Sequence, residues 1–377
     1  MSFSFGVDIK KWGGHKMSKT LLLTFLSLTT LSFAKTEYTG EKYLGKDIIT
    51  NLDVNDLESG KTYEFFFEGV ENSLGNPWYI PVTVIKGEKE GKRFLISSGI
   101  HGNELNPILT TYKVKERLNP KDIKGTVTII HGLNIPGLLN NHRGYTFGGN
   151  SENTVDLNRL MNSGKTTTSD QKYSTLLWNN LLSKNADRVI DLHTSGKGSQ
   201  FPLFVYADFR NSDIKKMAEL TGADIVKMDN GEKGTIETSF VDLGIPSITF
   251  ELGSGETQEA LIVERATNGV INNLIFWDNL SGKEVKPDIE TFYGNSWSRI
   301  RAEKGGFVEA KVKVKDKVKK DDILFVQYDA FGKVIKEYKS PNSGVVASVK
   351  DYPYSEPGDS LGRVIEYDKE DKDQKLN

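Results

Sequence analysis

The chain has 377 residues, of which 37% are hydrophobic and 27% charged, and its formal net charge at pH 7 is −2. A chain of this length can bury a large core and form about two domains, and the composition is typical of globular proteins. The charge excludes a strongly basic nucleic-acid-binding surface. The absence of cysteine excludes disulfides, thiolate metal sites and a cysteine nucleophile.

The N-terminal segment has the pattern of an export signal. A short basic start at residues 17–19 precedes an apolar run at 21–31, which is too short for a stable membrane span. The small residues Ser32 and Ala34 then occupy the two positions that a signal peptidase reads. We predict that residues 1–34 are a leader and signal peptide, that the mature protein has no stable membrane span, and that it is exported to the periplasm. An N-terminal anchor that is never cut is the alternative.

Strand patterns come next and then alternate with helical patterns. Short β-type runs occur at 63–67 and 79–85. Further strands are predicted at 93–98, 126–131, 187–192, 202–207 and 246–251. Helices are predicted at 104–118, 170–183, 212–222 and 257–279. The alternation predicts an α/β catalytic domain over 35–290, with a mixed, mostly parallel sheet flanked by helices.

The pattern changes after about Gly282. Residues 305–372 alternate with a period of two, as in the run 307–314, and turn signals separate the runs. This predicts a small all-β, barrel-like C-terminal domain over 300–372. Residues 373–377 end a charged tail with little to bury, so disorder is predicted there.

Three predicted strands end in side chains that bind metals or move protons. His101 and Glu104 follow the first of these strands. His193 ends the second, and Glu251 ends the third. Ligands of such sheets lie outside the carboxyl ends of the strands, so these side chains are expected to meet. Two His and one Glu would hold a catalytic Zn²⁺, which this donor set favours over Mg²⁺ or Ca²⁺, with one position open for water. Glu251 opposite that water would be the general base.

Four short motifs together resemble the succinylglutamate desuccinylase/aspartoacylase family, which belongs to the zinc carboxypeptidase clan. The motifs are His101-Gly102-Asn103-Glu104, Asp156-Leu157-Asn158-Arg159, Asp191-Leu192-His193 and Phe250-Glu251-Leu252-Gly253. Residues from about 90 to 280 carry the resemblance, and the trailing β-domain of the family is similar in kind to 305–372. The resemblance implies a zinc carboxypeptidase-like fold.

The resemblance also implies the metal site and the proton-transfer group. His101, Glu104 and His193 match the zinc ligands of the family. Glu251 matches its general base and acid, so Zn²⁺ is the implied cofactor. Asp191 precedes His193 by two residues. Asp191 either orients the imidazole of His193 without binding the metal itself, or is a carboxylate at a strand end without such a role.

Three more residues match the substrate-binding groups of the family. Arg143 matches the arginine that polarises the scissile carbonyl. Asn158 and Arg159 match the pair that holds the terminal carboxylate of the substrate, for which a planar guanidinium is suited. Asp156, in the same motif, is interpreted as a local hydrogen-bonding partner.

The leading hypothesis is a zinc-dependent amidohydrolase that removes the acyl group from an N-acyl amino acid or a related small amide with a free carboxylate. The alternative is an exported zinc carboxypeptidase that trims peptides, including cell-wall peptides. The position of 305–372 discriminates the two, because a site closed over by the β-domain admits only small substrates. A catalytically inactive binding protein would have lost a ligand or the base, and neither is lost here. No nucleic-acid partner is expected.

Overall fold

Strands form most of the regular structure in the described part of the chain. The computed structural model describes residues 35–146, 154–287, 289–371 and 373–376. The predicted leader and signal peptide at 1–34 lies outside these residues, so cleavage and export stay predictions.

The strands of the described residues fall into two groups. Those up to residue 294 are β1 (Glu37–Tyr43), β2 (Lys46–Asn51), β3 (Lys61–Glu71), β4 (Pro77–Lys86), β5 (Lys89–Ser98), β6 (Lys124–Ile130), β7 (Tyr145–Thr146), β8 (Thr154–Val155), β9 (Arg188–His193), β10 (Ser199–Gln200), β11 (Leu203–Ala207), β12 (Ile225–Met228), β13 (Ser247–Leu252) and β14 (Phe292–Gly294). Those that follow are β15 (Ser296–Arg301), β16 (Gly306–Ala310), β17 (Lys317–Val318), β18 (Ile323–Tyr328), β19 (Val334–Lys339), β20 (Gly344–Lys350), β21 (Tyr354–Ser355) and β22 (Ser360–Glu366).

The helices of the described residues all lie before residue 277. They are α1 (Leu105–Glu116), α2 (Ile135–Leu139), α3 (Ser169–Leu177), α4 (Ser212–Leu220), α5 (Ile236–Val241) and α6 (Ala260–Phe276), with 3₁₀ turns at Pro120–Asp122 and Leu157–Arg159 and a π-helical turn at Trp178–Leu182. Side chains cap several of them, as where Asn211 accepts hydrogen bonds from the first turn of α4. Within the described residues no helix is long and apolar enough to cross a membrane.

Eleven strands form one large sheet in the order β1-β2-β3-β4-β6-β5-β9-β13-β11-β12-β14. Six of the neighbouring pairs are parallel, namely β2/β3, β5/β6, β5/β9, β9/β13, β11/β12 and β12/β14. The four central strands, β6, β5, β9 and β13, run in the same direction. The predicted mixed, mostly parallel sheet is therefore confirmed.

Helices cover both faces of this sheet because its central strands are apolar on both sides. In β5, Phe94 and Ile96 pack into one buried cluster, whereas Leu95 packs into another. The first cluster includes side chains of α1, α4 and α6, and the second includes side chains of α3 and α5. Since successive side chains of a strand point to opposite faces, the result is a sheet between two layers of helices.

The C-terminal strands form two antiparallel sheets around one apolar core. The first has the order β10-β20-β22-β15, with β17 paired to β20, and the second has the order β19-β18-β16-β21. Phe325, Val346 and Leu361 are among the core side chains that the two sheets share. Because β10 pairs with β20, the first of these sheets is hydrogen-bonded to the α/β part of the chain.

One predicted strand is shorter than expected. The period-two run 307–314 forms β16 only as far as Ala310. Beyond it the carboxylate of Asp316 accepts a hydrogen bond from the backbone N–H of Lys313 at 2.8 Å, which turns the chain. The alternation of valine and lysine after Ala310 therefore belongs to a turn.

The predicted disorder of 373–377 is wrong where the structure describes this tail. Gln374 is buried, with 3% of its surface exposed. Its amide nitrogen donates to Asp208 at 2.8 Å, and its amide oxygen accepts from the backbone N–H of Phe209 at 2.9 Å. One glutamine thus supplies both a donor and an acceptor to buried partners, which offsets the cost of ordering the tail.

Candidate active site

The carboxyl ends of β5, β9 and β13 bring together the residues predicted to bind metal and move protons. β9 lies between β5 and β13 and is parallel to both. His193 is the last residue of β9, and its register partner on β13 is Glu251. His101 and Glu104 lie in the turn between β5 and α1. The structure therefore brings these four predicted side chains to one edge of the sheet.

His101, Glu104 and His193 form a buried cluster, and none of the three is more than 3% exposed. Nδ1 of His101 lies 2.8 Å from Oε1 of Glu104, and Nδ1 of His193 lies 3.0 Å from Oε2 of the same carboxylate. The two Nδ1 atoms are 3.2 Å apart. The backbone N–H of Thr194 also donates to Oε2 of Glu104 at 3.0 Å, which fixes the carboxylate.

The other nitrogen of each imidazole, Nε2, contacts a carboxylate other than that of Glu104. Nε2 of His101 lies 3.0 Å from Asp156, and Nε2 of His193 lies 2.8 Å from Asp191. Asp191 is held in turn by Ser97, whose hydroxyl donates to it at 2.7 Å. Because an ionised carboxylate only accepts hydrogen bonds, Asp156 and Asp191 each favour a proton on the Nε2 that they contact, so Nδ1 is the nitrogen of each ring that would ligate a metal ion beside Glu104. Of the two alternatives for Asp191, the orienting position is the one observed.

The cluster has the donor set and spacing of a metal site. One ligand atom from each of His101, Glu104 and His193 can be chosen so that all three lie within 4.8 Å of one another. Two facing lone pairs and a buried carboxylate repel one another unless a cation or protons lie between them. Two nitrogens and one oxygen suit Zn²⁺ with an open fourth position, whereas Mg²⁺ and Ca²⁺ prefer oxygen shells. The residues present therefore fit a zinc ion.

Glu251 lies beside the cluster with one oxygen unsatisfied. Its Oε2 is buried and has no hydrogen-bond partner among the described residues. Burial raises the pKa of Glu251 to about 7, although positive charge on His193 acts in the opposite direction. A carboxyl group that titrates near neutral pH can both accept and release a proton.

Arg143 reaches the cluster through contacts of its backbone and its side chain. Its Nη1 donates to Oε1 of Glu104 at 2.7 Å. Its carbonyl oxygen accepts from the backbone N–H of Gly102 at 3.2 Å. Gly102 has no room for a side chain, because a Cβ there would lie 2.0 Å from the carbonyl carbon of Gly137 in α2. This close backbone packing keeps Arg143 next to the cluster.

Asn158 and Arg159 lie on the 3₁₀ turn that Asp156 caps. The carboxylate of Asp156 accepts from the backbone N–H of Asn158 at 2.9 Å, so the residue that holds His101 also shapes this turn. Nδ2 of Asn158 lies 3.5 Å from Nε2 of His193. Arg159 pairs with the exposed carboxylate of Glu232 at 2.8 Å. Asn158 thus contacts the cluster, whereas Arg159 follows it on the same turn and pairs with Glu232.

A cavity of about 750 Å³ lies beside this cluster. The predicted site residues that line it are His101, Arg143, Asn158, Arg159, His193 and Glu251. Glu104 lies buried behind them. The C-terminal sheets complete the wall with Trp297 on β15, Lys350 on β20 and Arg363 on β22. The C-terminal strands therefore bound the cavity on one side.

Several cavity residues were not selected from the sequence. Tyr206 lies on a correctly predicted strand, β11, and Glu237 lies on α5. Trp297, Arg299 and Arg363 come from the C-terminal sheet. Period-two alternation places these residues on one face of a strand but does not tell which face lines a cavity.

Glu237 is a buried carboxyl group in the cavity wall without a cationic partner among the described residues. It is 5% exposed, and among the described residues the one side chain that hydrogen-bonds to it is Thr238, at 2.9 Å. Burial raises the pKa of Glu237 to about 8, from an ordinary value of 4.5. The folded state therefore favours the protonated form. The stabilisation from this group is complete below about pH 4.5 and is lost as the pH rises through about 8.

Glu237→Gln is expected to remove this pH dependence, because the amide stays neutral. At pH 9 the variant should be more stable than the wild type, by on the order of 3 kcal/mol. Thermal unfolding of both proteins at pH 5 and pH 9 measures the difference. Glu116→Gln removes an exposed carboxylate and serves as the control. Equal losses of stability in the wild type and Glu237→Gln would show that Glu237 is ionised in the folded protein.

The fold and the site together define a three-layer α/β protein with a candidate metal centre at the carboxyl edge of its sheet. Residues 90–276 match the succinylglutamate desuccinylase/aspartoacylase catalytic domain. The chain belongs to the succinylglutamate desuccinylase/aspartoacylase family, as the motifs predicted.

Characterised relatives share a moderate part of the sequence. An N-alpha-acetyl-L-2,4-diaminobutyric acid deacetylase from Halomonas elongata is 25% identical over 303 residues, which cover 76% of this chain and 85% of the relative. A succinylglutamate desuccinylase from Pseudomonas paraeruginosa is 28% identical over 228 residues, which cover 55% of this chain and 64% of that enzyme.

Solved structures share the fold. The product-bound ectoine utilization protein EutE (DoeB) from Ruegeria pomeroyi has a TM-score of 0.72 at 21% sequence identity. The match covers 83% of this chain and 97% of the EutE chain. A succinylglutamate desuccinylase/aspartoacylase from Rhodobacter sphaeroides has a TM-score of 0.71 at 18% identity, covering 84% and 98%.

Proposed function

We propose that this protein is a zinc-dependent deacylase that hydrolyses the amide bond of a small N-acyl amino acid with a free carboxylate. The observation that carries the proposal is the buried cluster of His101, Glu104 and His193 beside Glu251, the register partner of His193. Family membership supports the reaction class, because the two relatives described above are a deacetylase and a desuccinylase.

His101, Glu104 and His193 would hold the zinc ion. When bound, the ion would supply Lewis-acid chemistry that polarises water and the scissile carbonyl. Asp156 and Asp191 keep the two imidazoles in the tautomer and orientation that metal binding needs, through contacts of 3.0 and 2.8 Å. The protein thus presents a rigid ligand set rather than one that must be assembled.

Glu251 performs the proton transfers. Its carboxylate takes a proton from the attacking water and then delivers it to the nitrogen of the leaving amine. The raised pKa of Glu251, about 7, suits both steps, because a group that titrates near the working pH is neither too weak a base nor too weak an acid. Its unsatisfied Oε2 is an acceptor available for the water proton.

Arg143 stabilises the negative charge that develops on the carbonyl oxygen as water attacks. Its guanidinium is half-exposed to the cavity while one nitrogen is anchored on Glu104 at 2.7 Å. A donor that is already in place loses little entropy during the reaction. Loss of such a donor lowers kcat by about 10²–10³-fold in other hydrolases.

Asn158 and Arg159 bind the free carboxylate of the substrate. Arg159 already pairs with a carboxylate, that of Glu232, at 2.8 Å, and Glu232 is well exposed at the cavity wall. The substrate carboxylate replaces this partner. The guanidinium fork can then bind both of its oxygens, with the amide of Asn158 as a further donor.

The size of the cavity supports a small substrate over a polypeptide. A volume of about 750 Å³ is within the range of small-molecule sites. Residues 359–363 and Tyr352 of the C-terminal sheets line it, so a long peptide would meet these strands. This favours the deacylase over the carboxypeptidase. Export to the periplasm remains part of the proposal on the strength of residues 17–34 alone.

Arg159→Lys tests the carboxylate-binding role. The wild type is expected to release amino acids from N-acyl amino acids and to act poorly on the corresponding amides. The variant should have a kcat/KM for the free acids that is lower by about 10–100-fold, because lysine cannot form a bidentate contact with a carboxylate. Its kcat/KM for the amides should change little. Arg117→Lys, an exposed conservative change, is the control. Equal losses on acids and amides would remove Arg159 from substrate binding.

A further inference from the structure

The cavity wall contains one carboxyl group that no cation among the described residues neutralises. Asp229, Glu232 and Glu237 all line the cavity. Lys227 pairs with Asp229, and Arg159 pairs with Glu232 at 2.8 Å. Glu237 has no ion pair in the described part of the chain. An acceptor is therefore left over in the wall of a cavity of substrate size.

The first turn of α5 fixes the position of Glu237, which is only 5% exposed. Its Oε2 accepts from the hydroxyl of Thr238 at 2.9 Å, whereas its Oε1 has no hydrogen-bond partner among the described residues. The same hydroxyl accepts from the backbone N–H of Glu232 at 2.9 Å, which restrains the carboxyl group further. A buried acceptor without a donor is costly, so a ligand that supplies a donor would satisfy it.

The charge around Glu237 determines which donor suits it. Burial raises the pKa of Glu237 to about 8, and the negative charges of Asp229, Asp208 and Asp191 act in the same direction. Neighbouring carboxylates disfavour a further anion and attract a cation. A cationic ligand would ionise Glu237 and form a charge-assisted hydrogen bond with it. This part of the wall therefore favours an ammonium group over a carboxylate or a neutral donor.

The start of α5 also contacts a residue assigned to substrate binding. The backbone N–H of Ile236 donates to Oδ1 of Asn158 at 2.9 Å, which fixes the amide of Asn158. Glu237 is the next residue of the chain, and both Asn158 and Glu237 line the cavity. A ligand whose carboxylate is bound by Asn158 thus lies beside the first turn of α5.

We propose that Glu237 forms a subsite that binds a cationic amino group of the substrate, while Asn158 and Arg159 bind its carboxylate. The proposal deepens the proposed function and rests on it. The substrate class is then an N-acyl amino acid with an ammonium group away from the scissile amide. That group belongs either to a basic amino-acid side chain or to an amino-substituted acyl group, which present the same chemistry to a carboxylate.

Two matched substrate pairs separate these sources. Nα-acetyl-L-ornithine and N-acetyl-L-norleucine have side chains of the same length, which end in an ammonium and a methyl group respectively. N-(4-aminobutyryl)-L-alanine and N-pentanoyl-L-alanine differ in the same way at the end of the acyl chain. The zinc-loaded wild type should prefer the amine member of one pair by at least about 10-fold in kcat/KM, and the pair concerned identifies the source.

Glu237→Gln keeps the shape of the side chain but cannot pair with a cation. It should reduce the preference for the amine by about 10–100-fold. Asp242→Asn is the control and should keep the preference, because Asp242 is an exposed carboxylate at the end of the same helix and lies outside the cavity lining. A wild type without a preference in either pair would overturn the subsite. So would a Glu237→Gln protein that loses activity equally on both members of a pair.

Proton release is a second readout, which a merely structural role of Glu237 would not change. At pH 7 the carboxyl group is mostly protonated, because its pKa is about 8. Pairing with an ammonium group should ionise it and release about one proton per bound ligand. Calorimetry in buffers of different ionisation enthalpy measures this release with the products L-ornithine and 4-aminobutyrate. L-norleucine and pentanoate are their methyl counterparts and should release none from Glu237.

Binding keeps the subsite test separate from the proposed function. If the wild type hydrolyses none of the four substrates, the proposed function fails, and calorimetry with the products alone decides on the subsite. Tighter binding of an amine than of its methyl counterpart, lost in Glu237→Gln but not in Asp242→Asn, would support the subsite. Equal affinities of the wild type within both pairs of products would overturn it.

Discussion

Glu251→Gln is expected to lower kcat by about 10²–10⁴-fold, the range over which general acid–base groups contribute. The amide has nearly the shape of the carboxylate but cannot take a proton from water or return one to the leaving amine. Glu251 is not one of the three clustered ligand residues, so the variant should keep the zinc content of the wild type. Parallel measurements of kcat and of bound zinc separate the two effects.

Glu264→Gln is the matched control for this prediction. Glu264 is an exposed carboxylate on α6 that pairs with Arg117, and it does not line the cavity. It should keep full turnover. A Glu251→Gln protein that turns over at close to the wild-type rate with normal zinc content would exclude Glu251 as the proton-transfer group.

His101→Ala is expected to lose the metal, and turnover with it. Replacing a residue that hydrogen-bonds to a metal ligand weakens metal binding by about 10–100-fold. Removing a ligand itself should weaken metal binding further. The wild type should also unfold at a higher temperature when zinc is added, because the ion binds only the folded cluster. The variant should show neither effect. Zinc titration and thermal unfolding measure both.

His142→Ala is the control for the loss of the metal. His142 lies outside the cluster, and its Nδ1 accepts from the backbone N–H of Gly144 at 3.1 Å. It should bind zinc like the wild type. If His101→Ala retained stoichiometric zinc with wild-type affinity, the metal would be bound elsewhere and the cluster would have another role.

The α/β framework was predictable because its signals are local. Apolar runs such as 93–98 and 187–192 became β5 and β9 with bounds within a few residues of those predicted. The cluster followed from the same signals, since His101 and His193 come where such runs end. Parallel neighbours bring their carboxyl ends to one edge of the sheet, so two positions far apart in sequence meet without further information.

The C-terminal wall of the cavity could not be predicted in the same way. Trp297 and Arg299 alternate on a strand, but which face of β15 meets the cavity depends on how the C-terminal sheet packs against the α/β part. That packing is fixed by long-range contacts, such as the pairing of Ser199 with Lys350. The prediction of disorder at residues 373–377 was wrong for a similar reason, because the buried partners of Gln374 are distant in sequence.

The central claim is tested most directly by the hydrolysis of one mixed panel by the zinc-loaded protein, with His101→Ala as the blank. The panel sets N-acyl amino acids beside peptides with free C-termini. The proposed function predicts that free amino acids are released from the small acyl compounds and not from the peptides. Release of C-terminal residues from the peptides would contradict it and would identify a carboxypeptidase whose site stays open past the C-terminal sheets.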